Sequence, residues 1–144
     1  RKEEARRWFA QALFDFKAAQ WNLQGGFYNT VCFLAQQGAE KALKSLLYYG
    51  GADRKKLLTH SVTELLSEAR RILPALDALG EEGCELDLHY IPSRYPNGLP
   101  AGYPHHFYTQ KSAQRALEAA MKFIQVVEEY YRAHGFSVVE TPPE

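Results

Sequence analysis

Residues 31–49, VCFLAQQGAEKALKSLLYY, decide the fold. Val31, Leu34, Ala35, Gly38, Ala39, Ala42, Leu43, Leu46 and Leu47 recur at helical spacing and form an unusually wide apolar face. The small residues Ala35, Gly38, Ala39 and Ala42 let a neighbouring helix approach closely. The pattern predicts a helix from about Phe27 to Tyr49, closed by Gly50 and Gly51.

On its N-terminal side, Ala5, Trp8, Phe9, Ala12, Phe16, Ala19 and Leu23 predict an amphipathic helix over 2–24. Leu13 and Trp21 fall off that stripe and hint at a second contact surface. Gly25 and Gly26 break the helix and leave only a tight connection, so the first two helices form an antiparallel hairpin.

On its C-terminal side, a polar loop over 52–60 carries Arg54, Lys55 and Lys56. Ser61 and Glu64 fit a capping box in which each side chain satisfies the other's backbone amide. A third helix is predicted over 62–72, with Val62, Leu65, Leu66 and Ala69 inward. Pro74 suits the first turn of a fourth segment over 74–90, which Gly80 and Gly83 should interrupt. Then comes HYIPSRYPNGLPAGYPHHFY (89–108), holding four of the seven prolines, four of the nine tyrosines and three of the five histidines. Prolines at 92, 96, 100 and 104 exclude a continuous helix or central strand, while the aromatic content excludes a solvated linker. It reads as an ordered loop packed on helices. Thr109 caps a last helix over 110–133, with Ala113, Ala116, Leu117, Ala120, Ile124, Val127 and Tyr131 inward. The expected fold is an all-α up-and-down bundle of four to five helices with one long Pro/Tyr-rich loop, spanning 1–135, and a flexible tail over 136–144. The opening at Arg1 without Met suggests a domain cut from a longer polypeptide.

Lys plus Arg equals Asp plus Glu at 17 each, so nothing draws the whole chain to nucleic acid or to an anionic membrane. RNA is not an expected partner, and no apolar run reaches membrane-span length. Cys32 and Cys84 match no metal spacing and read as two reduced core thiols of a cytoplasmic protein.

No Gly-rich phosphate loop, zinc pattern or nucleophile elbow occurs. Three constellations remain. Lys41 and Lys44 share a helix face beside Glu40, which makes them either a solvated edge or a pair of cations for a phosphate. Arg54, Lys55, Lys56 and His60 crowd a short loop before a helix N-terminus, where anions are favoured. In the long loop, Tyr90, Tyr95, Tyr103 and Tyr108 accompany Arg94, His105 and His106. Tyr and Arg planes stack on bases, and a guanidinium grips phosphate in fork geometry; alternatively the tyrosines are packing anchors and Arg94 pairs with a carboxylate. Adjacent His105 and His106 lack the further ligands a metal needs.

The segments FLAQQGAEKALK (33–44), Thr59–His60 and YIPSRYP (90–96), in this order, resemble the HEPN domain over about residues 3–133. The opening EARRWFAQA (4–12) resembles the HEPN domain at the C-terminal end of sacsin and sacsin-like proteins. The resemblance implies a helical bundle that forms homodimers and binds nucleotides of the ATP/GTP type, within a larger chaperone-associated chain. Lys41, Lys44 and Arg94 would hold phosphates, Tyr90 and Tyr95 would shape the pocket, and His60 would support it. No catalytic residue, metal or obligatory cofactor is expected. Other HEPN branches are ribonucleases with an Arg and a His a few residues apart near the start of a late helix. Here Arg54 and His60, with five residues between them, stand before the third helix, so a ribonuclease or toxin is the alternative. A pure dimerisation module using the wide face of the second helix is another.

Overall fold

In the computed structural model, which describes residues 1–138, two long helices form the frame: α1 (Lys2–Gly25) and α2 (Tyr28–Tyr49). Gly26 turns the chain between them in the left-handed region (φ 79°), where a side chain would be strained. Gly38 lies against the Ala12 carbonyl, and the buried Ser45 hydroxyl donates to the Ala5 carbonyl at 2.6 Å, which fixes the antiparallel register. The small residues of α2 thus do what their spacing implies.

Four shorter or later helices complete the described chain: α3 (Val62–Ala69), α4 (Gly80–Asp87), α5 (Pro104–Phe107) and α6 (Gln110–Ala133). Three 3-10 turns, Arg54–Leu57, Pro74–Leu79 and Pro96–Gly98, punctuate them. The all-α bundle is as expected. Helix α2 is its axis, with α1, α3 and α6 packed around it and Val31, Cys32, Ala35, Ala39, Ala42, Leu43, Leu46 and Leu47 fully enclosed. A face so enclosed is not available to pair two copies.

The middle of the chain departs from expectation in three places. Helix α3 stops at Ala69, not 72: residues 70–72 continue only as turns, with the Ile72 and Leu73 amides both on the Ala69 carbonyl, and Pro74 keeps Leu73 out of the helical region (φ −131°, ψ 87°). The fourth segment splits into a 3-10 turn and α4, and only Gly80 marks the break. Gly83 lies inside α4, with the Phe123 ring and Val62 beside it at 3.6 Å from where a Cβ would stand. Helix α4 ends at Asp87, whose carboxylate accepts from Val62 N (2.6 Å), Thr63 N (3.1 Å) and Ser61 Oγ (2.8 Å). A carboxylate from another helix therefore neutralises the N-terminus of α3. Ser61 Oγ does accept from Glu64 N, but the reciprocal bond is replaced: Thr59 Oγ1 takes the Ser61 amide at 3.0 Å.

The long loop is ordered, as expected, but it is not free of helix. Pro96 and Pro104 each open a helical turn, the position where a missing N–H costs nothing. Ser93 is buried, its hydroxyl donating to the His89 carbonyl, while Asn29 of α2 donates to the Ser93 carbonyl at 3.1 Å. The bundle also extends past residue 135. Phe136 and Val138 are buried, Phe136 against Tyr49 and Tyr131, and Arg6 clamps the segment by donating to the Ser137 carbonyl at 2.8 Å. The rest of the expected tail, 139–144, lies outside the described residues.

The two cysteines part company. Cys32 is enclosed, and burial, assisted by Glu85, pushes its thiol up to about 12; Cys84 is exposed rather than in the core. A thiol reagent at neutral pH should therefore titrate one cysteine in the native protein and the second only on unfolding. Two fast-reacting thiols would contradict this packing.

Candidate functional site on the second helix

The charged and aromatic residues singled out in the sequence gather along the stripe of α2 that carries Phe33, Glu40, Lys44 and Tyr48. At its N-terminal end the long loop lays Arg94 among three rings. The guanidinium carbon is 4.4 Å from the Phe33 ring centre, 4.6 Å from Tyr90 and 5.0 Å from Tyr95. Arg94 Nε donates to the Tyr90 carbonyl at 2.8 Å. No carboxylate pairs with Arg94 among the described residues, so its two terminal nitrogens remain available as donors. Stacking orients the fork without neutralising it.

His60 lies flat on Tyr90, ring centres 5.0 Å apart at 16°. Its Nδ1 is 3.4 Å from Glu40 Oε2, and the same oxygen holds Lys44 Nζ at 3.1 Å. Lys44 in turn sits 5.4 Å over the Trp8 ring, which packs on Tyr48. The result is one unbroken line of contacts, Arg94–Tyr90–His60–Glu40–Lys44–Trp8–Tyr48, about four helical turns long.

Two expectations change here. Lys44 is not on a solvated edge: it is 4% exposed and Glu40 2%, so this ion pair is buried and its ammonium is committed to Glu40. Lys41 does not share an anion with Lys44. It turns to α1, 2.5 Å from Asp15 Oδ2, and lines a groove of ≈ 410 Å³ with Arg7, Trp8, Gln11 and Tyr48. The structure thus joins Lys44, His60, Tyr90, Arg94 and Tyr95, and leaves Lys41 to one side.

Sequence reading missed Phe33 as the third ring and Gln36 as a brace. Gln36 is fully enclosed and donates from Nε2 to the His60 carbonyl at 2.8 Å and to Glu40 Oε1 at 3.3 Å. Its place four residues before Glu40 was the available signal. Behind the platform, His89 Nδ1 lies 3.1 Å from the Tyr108 hydroxyl. Burial holds His89 below its ordinary range and pushes Tyr108 up to about 12, so both stay neutral as a structural pair. The ribonuclease alternative needs Arg54 beside His60. Arg54 instead lines a groove with Arg1, Glu4 and Tyr48, while His60 faces Glu40 and Tyr90. Among the described residues no group of three His, Cys, Asp or Glu side chains is placed to hold a metal, and no helix is long and apolar enough to cross a membrane.

An α-helical bundle whose Arg-Tyr-Pro loop is clamped on a charged central helix defines a recognisable class of small domain. The sequence profile of the HEPN domain matches residues 5–130. The chain belongs to the HEPN domain family. It is similar to TT1696 from Thermus thermophilus, at 39% identity over 87% of this chain and 96% of that one (TM-score 0.81). It is similar also to ST0689, an archaeal HEPN homologue (33%, 88% and 96%, TM-score 0.72), and to a HEPN domain protein of Thermotoga maritima (30%, 88% and 98%, TM-score 0.69). No curated protein gives a significant match.

Proposed function

We propose that this HEPN domain is a non-catalytic nucleotide-binding module that self-associates. The observation that carries the reading is Arg94, stacked on three rings and pinned through Nε, with its outer nitrogens unpaired among the described residues. Such a fork takes two phosphate oxygens, and half-exposed Tyr95 and His60 offer flat surfaces for a base. The phosphate role falls chiefly on Arg94, because Lys41 and Lys44 already hold carboxylates. They reach a ligand only by exchanging those partners.

Titration calorimetry with ATP and GTP at moderate salt tests this. Arg94→Ala should weaken binding at least about ten-fold, and Arg94→Lys should restore little, since a point charge neither stacks nor forks. Lys41→Ala should stay within about two-fold. Absence of binding to both nucleotides, or affinity indifferent to Arg94, sinks the reading.

The resemblance of residues 4–12 supports a setting in a sacsin-like, chaperone-associated protein of the cytoplasm. In the competing enzymatic reading, Arg54 and His60 would cleave RNA; cleavage of labelled RNA abolished by His60→Ala would overturn the non-catalytic assignment.

A further inference from the structure

Along the seam of α1 and α2, two grooves of ≈ 410 Å³ each share Glu4 and Tyr48 as a common wall and run together as one trench, which reaches Arg54 in the loop after α2. From Arg1 to Gln11 it follows the chain of α1 for about 15 Å. Trp8 and Tyr48, ring centres 5.8 Å apart at 30°, give it flat aromatic surface, and the buried Lys44 ammonium holds the indole from behind at 5.4 Å. Arg7 and Lys41 stand along it, each already on a carboxylate, Glu4 at 2.6 Å and Asp15 at 2.5 Å, but each with further N–H donors to give. Arg54 pairs with no carboxylate among the described residues. In a chain of 17 cations and 17 anions this is a local excess of positive charge. It is remote from the Arg94 platform: Phe33 and Tyr48 are about 22 Å apart along α2.

We infer that this trench is a second binding site, independent of the nucleotide reading, and that it takes an acidic peptide segment in extended conformation. Its shape decides against a compact anion. About 15 Å is the span of roughly five extended residues, and the cations are set along the trench, Arg7 and Lys41 in one groove and Arg54 in the other, rather than converging on one point. Its acceptors decide against a nucleic-acid strand. Glu4 lines both grooves, and Gln11, whose amide donates to Asp15 Oδ1 at 2.8 Å, keeps its carbonyl oxygen for a ligand. A sugar-phosphate backbone carries a negative charge at every nucleotide and meets repulsion at Glu4. A peptide brings backbone N–H donors for Glu4 and Gln11 together with carboxylates for Arg54, Arg7 and Lys41. An apolar side chain between those carboxylates covers the Trp8 and Tyr48 rings.

The two tryptophans make the site observable. Trp8 lines the trench, while Trp21 lies about 20 Å further along α1 in a different groove. In an amide NMR spectrum at low salt, an octapeptide of Glu with one central Leu should move the Trp8 indole N–H signal saturably. The Trp21 signal, assigned with Trp21→Phe, should stay in place. The same peptide with Gln for every Glu should move neither. Arg54→Glu should weaken binding at least about ten-fold, and Arg7→Gln about three-fold. Both arginines are exposed, so the thermal melt should be preserved. Lys111→Glu, at an exposed cation near the start of α6, should stay within about two-fold. The absence of a saturable shift, a shift at Trp21 instead of Trp8, or equal losses in Arg54→Glu and Lys111→Glu overturns the site. An oligothymidylate of eight nucleotides that binds the trench more tightly than the peptide overturns the assignment of its ligand.

Discussion

Glu40→Ala is expected to destabilise the domain by about 3–5 kcal/mol, read as a lowered urea midpoint with an unchanged slope. Glu40 is 2% exposed and is the common acceptor for Lys44, Gln36, Gln37 and, at 3.4 Å, His60. Truncating it leaves the Lys44 ammonium enclosed, 3.1 Å from an empty position. An unpaired buried charge costs far more than the pair contributes, so the damage belongs to the orphaned lysine. The double variant Glu40→Leu/Lys44→Met removes both charges at similar volume and should recover most of the loss. A single-variant loss below about 1 kcal/mol would mean that the pair is wetter than its burial implies. Because Glu40 also faces His60, the single variant should loosen the Tyr90 platform as well.

Tyr131→Ala should cost a comparable amount, about 3–5 kcal/mol. Tyr131 is among the largest fully enclosed side chains, edge-on to Phe9 of α1, beside Tyr49 of α2 and against Phe136. Its hydroxyl shares a 2.7 Å hydrogen bond with Ser45, which is itself tied to the Ala5 carbonyl. Burial pushes the phenol pKa well up, which keeps this bond neutral across the working pH range. Tyr131→Phe keeps the ring and loses only the bond, for about 1–2 kcal/mol. Denaturant unfolding of both variants separates packing from hydrogen bonding. Equal losses would show that the ring contributes nothing, contrary to its contacts.

Sequence periodicity located α1, α2 and α6 to within a residue or two, because each carries an apolar stripe over many turns. It failed between 70 and 108, where the helices are short and their ends depend on partners distant in sequence. Asp87 ends α4 by reaching the amides of α3, which no local pattern announces. The candidate cluster was legible only in part: Lys44, His60, Tyr90, Arg94 and Tyr95 come together, Lys41 does not, and Phe33 and Gln36 join unannounced. Lys44 and Glu40 read as a surface pair because i, i+4 charges usually are; only the packing of the neighbouring elements around the central helix encloses them. Of the two settings open to Arg94, phosphate grip beside the tyrosines or a carboxylate partner, the second is not what the fold provides: it lies among rings, with Phe33 arriving from α2. The two off-stripe residues of α1 separate: Trp21 is exposed, whereas Leu13 packs against the core.

The clamp of Arg6 on Ser137 and Phe136 has a mechanical consequence. It brings the start of α1 and the segment after α6 to the same pole, so the first and last described elements close on each other like the ends of a clasp. Tension applied through its two ends would open this clasp first and lift Phe136 from its aromatic seat, before any load reached α2 and the Arg94 platform.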